Sequence, residues 1–223
     1  FERIDVPEPP APGKDEALVS VHAIGVCGTD ISGYLGKMPF IQFPRILGHE
    51  LGVEVLAVGP GVQNLKPGDR CSVEPYLNCG HCHACKLGRT NCCETLGVLG
   101  VHRDGGMCER LLLPTAKLHR SEKLTLEQLA LVETLAIGCH AVNRSALTEK
   151  EDVLIIGAGP IGLSVLEFAR LATQRVAVLE LNNSRREFVK QHYPDVILLR
   201  HTPPECFAQV VIDATGNAES MSE

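Results

Sequence analysis

The sequence has 223 residues, 44% hydrophobic and 22% charged, which suits one large or two small globular domains and is too apolar for intrinsic disorder. Its 27 acidic residues outnumber 21 basic ones, and the net charge of −6 argues against a nucleic-acid-binding protein, because phosphate binding relies on clustered Lys and Arg. No apolar run is long enough to span a bilayer and the sequence does not open with a basic-then-apolar leader, so we expect neither a membrane anchor nor a secretory signal.

Residues 1–145 consist of short apolar runs separated by Gly- and Pro-rich turns. Strands are predicted over residues 17–24, 53–58 and 70–74, and such short, closely spaced strands are typical of a β-barrel or β-sandwich. A helix is predicted from Thr125, because Gln128 follows three residues later in a capping-box pattern, and an Ala-rich helix is predicted over residues 133–146. The first domain is therefore predicted to be mainly β.

From residue 146 the pattern changes to alternating strands and helices. Strands are predicted over residues 152–156, 175–179, 195–199 and 208–213, with helices over 161–172 and 184–192. This alternation predicts a doubly wound parallel sheet. A dinucleotide-binding sheet normally has about six strands, so we expect this domain, 146–223, to be truncated at its C-terminal end.

Five of the ten cysteines fall between residues 79 and 93, which indicates metal binding in a reducing compartment rather than disulfides. A closed site of four thiolates is the form taken by structural Zn²⁺. The predicted ligands, in a lobe over about residues 76–95, are Cys79, Cys82, Cys85 and either Cys92 or Cys93. The scattered cysteines are expected to be small buried hydrophobes: Cys71, Cys108, Cys139 and Cys206.

A second set of zinc ligands is predicted in two short motifs, Gly25-Val-Cys-Gly-Thr-Asp30 and Gly48-His-Glu50. One thiolate, one imidazole and one carboxylate make a site with an open fourth position, which is the arrangement of a catalytic zinc. Cys27 and His49 supply the first two. The candidate carboxylates are Glu50, next to His49, and Glu133, whose place in an apolar helix start is costly unless a charge or metal lies nearby.

A glycine-rich turn, Gly157-Ala-Gly-Pro-Ile-Gly162, follows a predicted strand and opens a predicted helix, the context in which this pattern binds a dinucleotide. Glu180 ends the next strand, where a carboxylate accepts the ribose hydroxyls and repels a 2′-phosphate, so NAD is favoured over NADP. An Arg close by, at 185 or 186, is able to accommodate that phosphate instead. The predicted cofactor-binding residues are Gly157, Gly159, Pro160, Ile161, Gly162, Glu180 and Arg185.

These motifs together resemble the zinc-dependent medium-chain alcohol dehydrogenases. Other matching segments, spread along nearly the whole chain, are Pro44–Glu50, Lys66-Pro-Gly-Asp69, Asp104-Gly-Gly106 and Val211-Ile-Asp-Ala-Thr-Gly216. Within the family the sequence looks like the sorbitol/threonine dehydrogenase branch. Residues 82–106 look most like L-galactonate 5-dehydrogenases and related sugar-acid or polyol dehydrogenases.

The resemblance implies a GroES-like catalytic β domain followed by a Rossmann domain, with the active site in the cleft between them. It implies that Cys27, His49 and Glu50 hold a catalytic zinc, with Glu133 alternating or acting through water. It also implies that Cys93 is the fourth ligand of the structural zinc and that Thr29 starts a proton relay. Ser32 departs from the branch, which often has a relay His at that position.

The implied reaction is the reversible NAD-dependent oxidation of a secondary alcohol, a polyol or sugar acid, to a ketone by hydride transfer from a zinc-bound alkoxide. The alternative is a catalytically inactive relative that binds zinc and NAD in a structural or regulatory role. The expected partners are a small-molecule alcohol and further copies of the chain in a homodimer or homotetramer, with no nucleic acid and no membrane. The expected location is the cytoplasm.

Overall fold

The computed structural model describes residues 2–203 and 207–222, and the chain divides into two compact units, Phe1–Glu133 and Thr134–Glu223. The boundary expected from composition, at residues 145 and 146, lies at the far end of a helix that spans Val132–Ser145. The first two residues of that helix belong to the first unit and the rest to the second, where Val142 packs in the core. Cys206 lies outside the described residues, so its expected burial stays a prediction.

The first unit is built on a five-stranded sheet in which all neighbouring strands are antiparallel. The unit has five strands in this sheet and two in a separate pair. In chain order they are β1 (Glu16–Gly25), β2 (Glu50–Val58), β3 (Arg70–Val73), β4 (Tyr76–Leu77), β5 (Gly97–Val98), β6 (Arg110–Pro114) and β7 (Leu118–Arg120). The sheet order is β6-β1-β2-β3-β7, and β4 pairs with β5 separately. Alternate residues of β1, Ala17 and Val19, are fully buried because successive side chains of a strand point to opposite faces.

Short helices complete the first unit: α1 (Gly28–Tyr34), α2 (His83–Lys86) and α3 (Leu126–Ala130). The predicted capping box of α3 is confirmed, since Thr125 Oγ1 accepts from the Gln128 backbone N–H at 3.2 Å and Gln128 Oε1 accepts from the Thr125 N–H at 2.9 Å. The core includes Cys71, which is fully buried as expected. Cys108 was also expected to be buried, but its side chain is only half-buried.

The second unit is a four-stranded parallel sheet with helices between its strands. Its elements are α4 (Val132–Ser145), β8 (Val153–Ile156), α5 (Pro160–Ala172), β9 (Val176–Leu179), α6 (Asn183–His192), β10 (Ile197–Leu199) and β11 (Val210–Asp213), in the sheet order β10-β9-β8-β11. Cys139 in α4 is half-buried rather than buried. The predicted doubly wound arrangement is confirmed, and the observed strands begin and end within two residues of the predicted ones.

Short 3₁₀ turns cover Thr90–Cys92, Thr115–Lys117 and Ser220–Ser222. Among the described residues, no helix has both the length and the apolar character needed to cross a membrane.

Candidate active site

The pairing of β1 with β2 brings together the residues of the two short motifs. Cys27 lies two positions after the last residue of β1, Glu50 is the first residue of β2, and Gly25 pairs with Glu50 across the two strands. A Cβ atom at Gly25 would lie 2.0 Å from Glu50 Oε2, so the missing side chain makes room for this carboxylate. The ligand atoms of Cys27, His49 and Glu50 all lie within 4.8 Å of one another.

This donor set fits a zinc ion. Sulfur, imidazole nitrogen and carboxylate oxygen are the three donors that Zn²⁺ accepts in proteins, and three protein ligands leave a fourth position open. His49 Nδ1 is buried and has no hydrogen-bond partner in the part of the chain that the structure describes. Burial by itself would lower the pKa of His49, but a hydrogen bond with Cys27 and the negative charges of Cys27, Asp30 and Glu133 raise it above its ordinary value. These negative groups are a suitable environment for a cation.

Asp30 connects the two segments that carry these ligands. Its carboxylate accepts the Cys27 backbone N–H at 2.9 Å and the Gly48 backbone N–H at 3.3 Å. Oδ1 of Asp30 also lies 3.9 Å from His49 Nδ1, and the side chain is only 2% exposed. A carboxylate behind a ligating His commonly fixes the orientation of the ring. Asp30 is therefore suited to hold Cys27 and His49 in place.

Glu133 lies near the three residues but is held by a different partner. The hydroxyl of Tyr76 donates to Glu133 Oε1 at 3.0 Å. Burial raises the pKa of Glu133, with the negative charge of Glu50 adding to the shift, while the Tyr76 hydrogen bond and the positive charge of His49 oppose it. The structure thus groups Glu50 with Cys27 and His49, and Glu133 with Tyr76.

The cysteine loop runs between β4 and β5. The sulfur atoms of four cysteines lie within 4.8 Å of one another: Cys79, Cys82, Cys85 and Cys93. Two backbone N–H groups point at these sulfurs, from Cys79 to Cys93 Sγ and from Cys82 to Cys79 Sγ, both at 3.3 Å. Cys92, the alternative fourth ligand, is exposed and is not one of the four.

Backbone hydrogen bonds in the loop favour the thiolate form at two of the four cysteines, Cys79 and Cys93. Hydrogen bonds from the backbone N–H groups of His81 and Cys82 lower the pKa of Cys79 to about 6. A thiolate is the form of cysteine that binds metal. The pKa of Cys93 is also lowered, chiefly by a hydrogen bond with the Cys79 backbone, whereas burial raises the pKa of Cys85 to about 11. Four cysteine sulfur atoms at one point fit a closed structural Zn²⁺ site.

The glycine-rich turn joins β8 to α5 and has the geometry expected of a dinucleotide site. Gly157 has a φ of +95°, which favours glycine. A Cβ at Gly162 would lie 1.9 Å from the Gly157 carbonyl oxygen, so only glycine allows this close packing. A Cβ at Gly159 would meet one atom within 4 Å, the Arg185 Nη1 at 3.7 Å, so the backbone here is open to a ligand.

Glu180 directly follows β9, and its side chain binds the backbone of this turn. Its carboxylate accepts the backbone N–H groups of Ala158 and Asn182, both at 2.7 Å, and it is 7% exposed. Arg185 Nη1 lies 3.8 Å from Glu180 Oε2. Arg186 has another task, because its Nη1 donates to the carbonyl oxygens of Glu180 and Leu199. Of the two arginines, Arg185 is therefore the one whose guanidinium lies beside the turn.

Comparison with known proteins identifies the family. The family model described as the alcohol dehydrogenase GroES-like domain matches residues 13–123. The L-galactonate-5-dehydrogenase of Escherichia coli is 41% identical over 225 residues, which cover 96% of this chain and 66% of that protein. The starvation-sensing protein RspB of Escherichia coli is 34% identical over 227 residues, covering 97% of this chain and 67% of that protein. The chain belongs to the zinc-type medium-chain alcohol dehydrogenase family.

Two solved dehydrogenase structures have a similar fold. A zinc-binding dehydrogenase of Sinorhizobium meliloti bound to NADP is 32% identical with a TM-score of 0.85, over 95% of this chain and 66% of that one. A short chain alcohol dehydrogenase of Escherichia coli complexed with NADH is 34% identical with a TM-score of 0.83, over 93% of this chain and 64% of that one. The present chain thus spans about two thirds of the length of these dehydrogenases.

Two site residues of this family member were missed by the sequence analysis. Asp30 had a detectable signal, since an acidic residue three positions after Cys27 fits the spacing of a helix cap. Tyr76 had none, because its partner Glu133 is 57 positions away and only the fold brings them together. Thr29, the predicted relay residue, lies half-buried in α1 between Cys27 and Asp30.

Proposed function

We propose that this chain carries the metal and cofactor sites of an NAD-dependent dehydrogenase that interconverts a secondary alcohol and a ketone. The observation that supports this most directly is the convergence of Cys27, His49 and Glu50 within 4.8 Å in a member of a zinc-type dehydrogenase family. Zinc, when bound there, lowers the pKa of the hydroxyl group that it coordinates. A polyol or a sugar acid is the proposed substrate class, because the similar Escherichia coli protein is named for L-galactonate.

Each residue has a separate proposed task. Cys27, His49 and Glu50 hold the catalytic zinc, and Thr29 starts a proton relay, in which Oγ1 takes the hydroxyl proton of the substrate as it passes its own proton on toward solvent. The four-cysteine loop holds a second, structural zinc, which is supported by the 4.8 Å grouping of its sulfur atoms. Gly157, Gly159, Pro160, Ile161 and Gly162 form the turn that approaches the pyrophosphate of the cofactor, which accepts the hydride.

NAD is the proposed cofactor in preference to NADP. Glu180 accepts one N–H group of the turn through Oε2 and the Asn182 N–H through Oε1. A carboxylate that binds two N–H groups has further lone pairs with which to accept ribose hydroxyls. Its negative charge repels a 2′-phosphate, and Arg185 is already near this carboxylate. We also propose a homodimer or homotetramer in the cytoplasm. The nine described cysteines are all free, which supports a reducing compartment.

The test uses the full-length protein that contains this chain. We expect two zinc equivalents by elemental analysis, and reduction of NAD with at least one member of a panel of polyols and aldonates. Cys27→Ser should lose turnover and one zinc equivalent while it still binds NAD. A wild-type protein with both metals and NAD bound but no turnover on any panel member would favour the inactive binding relative.

A further inference from the structure

Tyr76 is fixed in place by the base of the cysteine loop. It lies in β4, and β4 pairs with β5 through Tyr76 opposite Val98 and Leu77 opposite Gly97. The Leu99 backbone N–H donates to the Pro75 carbonyl oxygen at 3.1 Å and extends this pairing. The ladder closes the loop that carries the four cysteines, so its metal would also stabilise the strand on which Tyr76 lies.

The side chain of Tyr76 extends from this ladder toward the candidate metal site formed by Cys27, His49 and Glu50. Its hydroxyl donates to Glu133 Oε1 at 3.0 Å, and Glu133 lies in the first turn of α4 with 9% exposure. Each end of this hydrogen bond interacts electrostatically with a different part of the candidate ligand set. The charges of His49 and Glu50 shift the pKa of Glu133 in opposite directions, and the negative charge of Cys27 acts on Tyr76.

Two carboxylates therefore lie near one candidate metal position. Glu50 has its oxygen within 4.8 Å of the Cys27 and His49 ligand atoms, whereas Glu133 is bonded to a neutral hydroxyl. Burial and the negative charge of Glu133 raise the pKa of Tyr76, so the phenol keeps its proton and acts as a donor. A buried carboxylate with no such donor would be stabilised by moving to the cation.

We propose that Tyr76 is a positioning residue, which holds Glu133 beside the metal and thereby leaves Glu50 as the ligating carboxylate. This inference rests on the proposed function, since it requires a metal at Cys27, His49 and Glu50. The hydrogen bond decides which of the two carboxylates enters the coordination sphere. The Tyr76 hydroxyl, through Glu133, thus controls the geometry of a site that it does not itself enter.

The experiment replaces Tyr76 with Phe in the full-length protein, which removes only the hydroxyl. With Co²⁺ exchanged for zinc, we expect the variant to show a changed visible absorption spectrum. The four cysteines are unaltered, so the difference spectrum against the wild type reports the other site. We expect kcat to fall about tenfold, as is common when a partner of a metal-site carboxylate is removed, with the KM for NAD unchanged.

The matched control is Tyr193→Phe. Tyr193 donates to Glu167 Oε1 at 2.5 Å, so this variant removes the same type of Tyr–Glu hydrogen bond in the second unit. Its cobalt spectrum and kcat should equal those of the wild type. If both Phe variants change the spectrum equally, or if neither does, Tyr76 does not position Glu133.

A double-mutant cycle tests whether Tyr76 acts through Glu133. Glu133→Gln keeps an oxygen that can accept from Tyr76 and removes the charge. We expect the effects of Tyr76→Phe and Glu133→Gln on kcat to be less than additive, and full additivity would overturn the inference. The wild type separates the two hypotheses. A wild type without metal or turnover contradicts the proposed function, whereas an active wild type with an unchanged Tyr76→Phe variant contradicts only this inference.

Discussion

Asp30 Oδ2 accepts a 2.9 Å hydrogen bond from the backbone N–H of Cys27. The other oxygen of the same carboxylate accepts from Gly48, next to His49. One buried side chain thus joins the end of β1 to the start of β2 at the candidate metal site. This link fixes the relative position of the thiol and the imidazole before any metal binds.

Replacing Asp30 with Asn should weaken metal binding at this site selectively. Asn keeps one accepting oxygen but loses the second acceptor and the negative charge that faces His49. We expect metal affinity at this site to fall by about 10- to 100-fold while the metal of the cysteine loop stays bound. Elemental analysis during a chelator titration measures the metal retained at each of the two sites. Asp195→Asn, which removes an exposed partner of Arg170, is the control, and equal metal loss in the two variants would contradict the prediction.

The neighbouring residues Cys92 and Cys93 should respond differently to the same substitution. Cys93→Ser removes one of the four grouped sulfur atoms, so we expect loss of one zinc equivalent and a stability loss of about 3 kcal/mol or more. Cys92→Ser changes an exposed side chain and should alter stability by no more than about 0.5 kcal/mol. Thermal unfolding with zinc analysis distinguishes them. Zinc loss in Cys92→Ser alone would show that the fourth ligand is Cys92.

Alanine substitutions at two glycines of the turn should have different effects, one on stability and the other on NAD binding. Gly162→Ala places a Cβ 1.9 Å from the Gly157 carbonyl oxygen, and we expect it to lower stability by about 1–3 kcal/mol. Gly159 has a φ of −76°, which alanine adopts without strain, and its Cβ would have only an ordinary contact. Gly159→Ala should therefore fold normally but bind NAD about tenfold or more weakly, because the methyl group blocks the approach of the pyrophosphate. Calorimetric titration and melting curves give both values. Wild-type affinity in Gly159→Ala would place the cofactor elsewhere.

Cys71 should be unreactive at neutral pH and should affect stability at high pH. Burial, assisted by the negative charge of Asp69, raises the pKa of Cys71 to about 11. Because this folded-state pKa lies above the ordinary value of about 8.5, its stabilising contribution is complete below that ordinary pKa. The contribution is lost as the pH rises through about 11.

The measurement for Cys71 is alkylation followed by peptide mass analysis. At about pH 8 a thiol reagent should label the exposed Cys92 and leave Cys71 unmodified in the native protein, since the thiolate is the reactive form. Both should react in denaturant. Cys71→Ala should make the loss of stability at alkaline pH less steep, and an unchanged slope would contradict the assignment.

The second unit was predictable because its strands are continuous apolar runs and its turn has a position-specific glycine pattern. The capping box of α3 was equally visible, since Thr125 and Gln128 are close in sequence. Helix α1 was not predicted, because its Gly, Thr and Ser residues have low helix propensity and the Asp30 cap supports it. The two-residue strands β4 and β5 are too short for any periodicity to be seen.

The candidate metal residues were named from the sequence, but the choice between Glu50 and Glu133 was left open. That choice depends on the register of β1 and β2, which sets Glu50 opposite Gly25, and on the bond from Tyr76 to Glu133. Both relationships join residues far apart in the chain. By side-chain chemistry alone, Glu50 and Glu133 are equally suitable as the third metal ligand.

The order of strands in the first sheet has a consequence for how the chain folds. Strand β1 pairs with β6, and the adjoining hydrogen bond from Thr115 to Asp15 joins residues 100 positions apart. During synthesis, one edge of β1 therefore stays without its partner strand until β6 has emerged from the ribosome. Contacts of such long sequence separation slow folding, because the entropy of closing the loop is lost before the contacts form. The cysteine loop lies within this stretch, so early zinc uptake would shorten the search by drawing Cys79 and Cys93 together.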